Sequence, residues 1–71
     1  MDFRDLFTVK VEKYLRKTVR ARRVRFPNKS MEWIPESVIV DQVPGGLVLP
    51  RWFIMERGLQ ECLAEEDKAS W

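Results

Sequence analysis

The periodicity of this sequence changes at Pro50. Before it, apolar residues come in short β-branched or aromatic runs: FTVKV (7–11), TVRARRVRF (18–26), MEWI (31–34), SVIVD (37–41) and GLVLP (46–50). Between them stand breakers: PNKS (27–30), Pro35 and VPGG (43–46). Proline removes a ladder donor, and Asn, Ser and Gly supply turn geometry. After Pro50, residues Trp52, Met55, Leu59, Cys62 and Leu63 follow helical spacing. A chain punctuated this way builds short strands first and a helix last. The expected class is α+β, mainly β. The expected architecture is a small bent sheet or SH3-like or OB-like barrel of four to five strands with a C-terminal helix.

Each run carries its own expectation. Phe7, Val9 and Val11 fall two apart, which predicts a strand from about Leu6 to Leu15. A helix over residues 3–17 is the rival, since Phe3, Leu6, Phe7, Lys10 and Tyr14 also sit at helical spacing. A short helical turn around Asp2–Asp5 fits before the strand. In TVRARRVRF, Val19 and Ala21 share one parity, and Val24 and Phe26 share the other. A β-bulge near Arg22–Arg23 would turn all four inward and leave the arginines on one outer face. Met31 and Trp33 share a face of the third strand, SVIVD forms a fourth and GLVLP a fifth. A helix begins at Pro50 or Arg51, where proline's missing N–H does no harm. Gly58 is either a costly interior residue, by about 1 kcal/mol against Ala, or the C-cap of Arg51–Arg57 before a second segment, Leu59–Glu66. Trp33 and Trp52 are expected to pack between the third strand and the helix.

With 71 residues the chain is one domain at most, residues 1–71, with 1–5 and 67–71 expected as loose ends. Its core is thin for its surface. A single cysteine, Cys62, rules out an internal disulfide framework and suits a reducing cytoplasm. No histidine is present, so a His-containing zinc site and the commonest general base are excluded. Ser37 has no triad partner, and VPGG lacks the spacing of a phosphate loop. No enzyme, cofactor or metal is expected. No run of about 20 apolar residues exists to span a membrane. MDFRDLF has early acids and no long apolar stretch, unlike a signal peptide.

Net charge is +2, but it is unevenly placed. RKTVRARRVR (16–25) holds six basic residues and no acid. Between Lys10 and Lys29 there are nine basic residues against Glu12 alone. From Glu56 onward, five acids face Arg57 and Lys68. Arginine suits bidentate phosphate contact, and a run of cations displaces condensed counterions from nucleic acid. The first reading is therefore nucleic-acid binding, single-stranded favoured, through Arg16, Lys17, Arg20, Arg22, Arg23 and Arg25. Lys10, Lys13 and Tyr14 stand at the margin, with Tyr14 as the stacking candidate. The runner-up is an acidic protein surface meeting the same cations, and the bland alternative is a solvated edge strand guarded by charge. The acidic group Glu61, Glu65, Glu66 and Asp67 is either a solvated helix end or a docking surface for a basic partner. Basic strand against acidic helix would also join copies into a homo-oligomer.

Two stretches carry a resemblance. MEWIPESVI, followed by LVLPRWFIMERGL, resembles a pattern in small proteins encoded by phages and prophages. There a strand ends in Trp-Ile/Leu-Pro-Lys-Ser; a short variable strand follows, then Ile/Leu-Pro-x-Trp and a short helix ending Lys/Arg-Gly-Leu. The matching residues are Trp33, Ile34, Pro35 and Ser37, then Leu49, Pro50, Trp52, Arg57, Gly58 and Leu59. Glu36 stands where the pattern has lysine. The resemblance covers about residues 18–59. It implies a phage-type protein in the cytoplasm of a bacterial host; beside the charge pattern, the two readings become a phage nucleic-acid binder and a phage modulator of a host or defence protein.

Overall fold

Six strands form two antiparallel three-stranded sheets in the computed structural model, which describes residues 5–71. The N-terminal end and the helical turn expected there lie outside the described residues except for Asp5. The strands are β1 (Leu6–Lys10), β2 (Lys13–Lys17), β3 (Ala21–Arg25), β4 (Met31–Pro35), β5 (Asp41–Val43) and β6 (Gly46–Pro50). One sheet has the order β1–β6–β5, the other β2–β3–β4. The two sheets do not close into a barrel. Buried side chains from both, with the helical C-terminal part, make one core that includes Phe7, Val24, Phe26, Ile34, Leu49 and Ile54.

The single strand expected over 6–15 is two strands meeting at a corner. The Val11 N–H donates to the Gly45 carbonyl of the first sheet at 2.9 Å. The next N–H, of Glu12, donates to Arg25 of the second sheet at 2.8 Å. Alternation shows which residues turn inward but not where a strand changes sheets.

The bulge also lies elsewhere than expected. β3 runs regularly, and the register shift falls between Tyr14 and Arg16 on β2, so Leu15 is the extra residue. Val24 and Phe26 are fully buried. Strict alternation along β3 then puts Arg22 on the inner side and Arg23 and Arg25 on the outer side. Val19 is not an anchor; it sits in the β2–β3 connection, 94% exposed. Thr18 closes that connection: its N–H donates to the Ala21 carbonyl at 2.8 Å, and its Oγ1 accepts from the Ala21 N–H at 3.1 Å.

β4 reverses the expected parity. Ile34 is buried, while Met31 and Trp33 are exposed. The cause is register: Arg22 pairs with Ile34 and Arg23 with Trp33. The SVIVD run is mostly not a strand. The N–H of Val38 donates to Pro35 O at 3.0 Å and that of Ile39 to Glu36 O at 3.2 Å, a turn that lets Val38 and Ile39 pack on the core. β5 starts only at Asp41.

β6 matches its expectation. Gly46 is buried in it, and a Cβ there would meet the Val9 carbonyl oxygen at 2.7 Å. Gly46→Ala therefore forces β1 and β6 apart. We expect a loss of about 1–3 kcal/mol, read as a fall in Tm of about 4–8 °C per kcal/mol in a thermal melt.

Helix α1 spans Arg51–Arg57 and ends at Gly58, whose φ of 67° is left-handed. The N–H of Leu59 returns to Ile54 O at 2.9 Å, as a left-handed C-cap requires. That cap resets the helical phase. The stripe Trp52–Met55–Leu59 assumed one continuous helix, so its first half is misplaced: Phe53 and Ile54 are buried, and Trp52 and Met55 are exposed. Beyond the cap, the segment expected over 59–66 is a 3₁₀ turn at Gln60–Cys62, an extended pair Leu63–Ala64, and helix α2 at Glu65–Lys68.

The extended pair runs along the free edge of β1. Val9 forms a bridge with Leu63, the Ala64 N–H donates to Thr8 O at 2.9 Å, and the Thr8 N–H donates to Asp67 Oδ2. This covers an edge that would otherwise recruit another strand. The stretch 67–71, expected as a loose end, is pinned here. Trp71 meets Phe7 edge-on with ring centroids 5.1 Å apart, and the Arg51 guanidinium lies 4.8 Å from the Trp71 ring and 5.0 Å from that of Phe7. Among the described residues, no helix is long and apolar enough to cross a membrane.

Candidate nucleic-acid interface

Directly paired residues of an antiparallel sheet put their side chains on the same face. The β2–β3–β4 register therefore writes two rows on the outer face. Arg16 pairs with Arg23 and Arg23 with Trp33; Lys13 pairs with Arg25 and Arg25 with Met31. Four cations thus lie beside an indole and a thioether. Trp33 is 41% exposed and Met31 49%, so the row is open to a ligand.

The fold neutralises part of the basic run and leaves the rest available. Arg22 Nε donates to Glu36 Oε1 at 2.8 Å and its Nη1 to Gln42 Oε1 at 2.7 Å, tying β3 to β5 across the two sheets. Arg22 thus acts as a strut between sheets rather than one of a row of outward arginines. Glu36, the residue that departs from the phage pattern, is its partner. Glu12 takes Lys29 at 2.7 Å and Arg25 at 3.5 Å. Lys10 reaches Glu65 at 3.4 Å. Among the described residues, Lys13, Arg16, Lys17, Arg20 and Arg23 form no ion pair. Lys13, Arg16 and Arg23 share the outer face. Arg20 is exposed in the β2–β3 connection, and Lys17 pairs with Arg22 on the inner side.

Glu12 organises the corner where β1 gives way to β2. The hydrogen bond from Lys29 holds its carboxyl below the ordinary value of 4.5; desolvation opposes it, and the charges of Lys29 and Arg25 add to the lowering. A carboxyl lowered in the folded state contributes stability that is complete above its unfolded pKa and lost as pH falls through its folded value. Glu12→Gln should therefore flatten the fall of Tm on acidification below about pH 4.5, followed by melts from pH 6 downward. An unchanged acid limb in the variant would contradict this.

Tyr14 is not on the outer face. It pairs with Val24, so it leans inward, and its hydroxyl donates weakly to Gly46 O at 3.4 Å. Burial pushes its pKa up, against the Arg22 charge. On the outer face the exposed ring is that of Trp33, with Met31 beside it, while Tyr14, the stacking candidate of the sequence, stands on the other side of β2. In MEWI the two parities offer Met and Trp against Glu and Ile. The bulk of tryptophan argued for burial, but Glu32 could join the inner side because Arg57 meets it at 3.2 Å.

The four acidic residues do not form one free surface. Glu65 pairs with Lys10 and with Lys68 at 3.1 Å, and their hydrogen bonds, Lys68 first, lower its pKa. Asp67 accepts from the Thr8 backbone. Glu61 and Glu66 remain exposed. Cys62 is a buried core residue.

No family model matches this chain, and it matches no curated protein and no solved structure.

Proposed function

We propose that this is a small phage-type protein that binds single-stranded nucleic acid on the outer face of the β2–β3–β4 sheet. The observation that carries the reading is the cross-strand row Arg16–Arg23–Trp33, with both arginines unpaired among the described residues and the indole exposed. Lys13, Arg16 and Arg23 meet phosphates, and Trp33 takes a base on its face, in the way aromatic rings of sheet surfaces stack with any base. Arg25 and Met31 extend the platform. Stacking needs an unpaired base, so single strands bind better than duplexes. Contact is with backbone and ring faces, so sequence preference is weak. The phage resemblance adds a bacterial cytoplasm as the place where this happens.

Fluorescence anisotropy with labelled single- and double-stranded oligonucleotides tests the reading. Binding at about 50 mM salt that weakens steeply as salt rises is the expected result. A duplex bound as tightly as a single strand removes the role given to Trp33. If oligonucleotides fail to bind while a protein partner survives nuclease treatment in a pull-down, the acidic-protein alternative takes its place.

A further inference from the structure

β2 and β5 are both edge strands, and no pairing joins them. Between them opens a cleft of about 360 Å³ lined by Tyr14, Leu15, Arg16, Lys17, Arg22 and Gln42. Among the described residues, no carboxylate lines it. Arg16 and Lys17 have no ion pair among the described residues. Gln42 accepts from Arg22 through Oε1, which fixes its amide and leaves the NH₂ as a donor. Tyr14 adds a ring that is 41% exposed. The cleft thus combines two available cations, an oriented amide and an aromatic surface, a set that complements a planar ring carrying an anion. Its volume lies at the small end of ligand pockets, which run from about 300 to 1,000 Å³, so it suits one such unit and not a length of strand. Arg16 also belongs to the outer row with Arg23 and Trp33, so the cleft continues that row around the edge of β2.

We infer that this cleft binds a single nucleoside monophosphate unit. The base lies on Tyr14 with its edge toward the Gln42 amide, and the phosphate sits between Arg16 and Lys17. The unit comes either from a free nucleotide or from the 5′-phosphorylated end of a strand. The second source rests on the function proposed above; the first does not.

The test is a titration of the isotope-labelled full chain with 5′-AMP, followed by amide chemical shifts. Saturable shifts at residues 14–17, 22 and 42 are expected, with inorganic phosphate giving much weaker ones. Lys17→Ala, at an exposed position with no ion pair among the described residues, and Tyr14→Leu should each weaken 5′-AMP binding about tenfold, and neither should change the fold seen in the spectrum. In Trp33→Ala the 5′-AMP shifts at residues 14, 17 and 42 should persist, which separates this site from the outer face. A 5′-phosphorylated oligonucleotide binding about tenfold tighter than its 5′-hydroxyl counterpart identifies the strand end as the source; equal affinities with 5′-AMP still bound identify the free nucleotide. Absence of shifts in the cleft overturns the inference, and so does inorganic phosphate acting as strongly as 5′-AMP.

Discussion

Trp33→Ala should weaken binding of single-stranded oligonucleotides by about 1–3 kcal/mol, about 5- to 150-fold in Kd. The side chain is 41% exposed and stands on the outer face beside Arg23, so truncation removes a stacking surface and little core. Stability should change by less than about 1 kcal/mol, as for other surface positions. Trp33→Phe should restore most of the affinity, because a smaller ring still presents a π-face. The salt dependence should be the same in wild type and variant, since no phosphate contact is lost. Anisotropy at fixed salt and a salt series on the three proteins check these expectations together. An unaltered affinity in Trp33→Ala would move the interface away from this sheet face.

Phe26→Ala should have the largest effect on the fold. Phe26 heads the fully buried side chains by volume and follows directly on β3. Its backbone also closes the following turn: its N–H donates to Ser30 O at 2.9 Å, and its carbonyl accepts from the Lys29 N–H at 2.8 Å, with Lys29 at a φ of 73°. Truncating a buried phenylalanine costs about 3–5 kcal/mol. Domains carry about 0.05–0.15 kcal/mol of stability per residue, so a chain of 71 residues has little in reserve. The variant should be largely unfolded or barely folded at 37 °C. Urea titration followed by tryptophan fluorescence measures this. A loss below about 1 kcal/mol would mean that the site collapses around the missing ring and that the core is far more plastic than its burial implies.

The residues show why some of this was legible in sequence and some was not. Local chemistry reads well. Pro50 opens the helix and Gly58 caps it, because a fixed φ and a left-handed φ are properties of single residues. Burial of Val24 and Phe26 follows from alternation once β3 is placed. What sequence does not encode locally is register. The bulge sits on β2 rather than β3, and that alone decides whether Arg22 or Arg23 faces outward. Register also reverses β4, exposing Trp33 where its volume argued for the core. The corner at Val11–Glu12 depends on pairing with Gly45 and Arg25, residues distant in the chain. The pinned C-terminus depends on Trp71 meeting Phe7 and Arg51, a contact across the whole sequence. For the site, composition located the cations but could not separate those already paired from those left available. Arg22, Arg25 and Lys10 find acidic partners only once the chain is folded.

On the proposed function, Lys13, Arg16 and Arg23 meet phosphates while Arg22 braces the fold. The most direct test is the slope of log Kd against log salt for a single-stranded oligonucleotide. Three contacts predict a slope whose magnitude is about 2. Arg23→Ala should reduce that magnitude by about 0.7 and leave the melting temperature nearly unchanged. Arg22→Ala should lower the melting temperature by stranding Glu36 and Gln42, and should keep the slope. No binding at about 50 mM salt, a slope of zero, or the two arginine variants exchanging these effects would contradict the account.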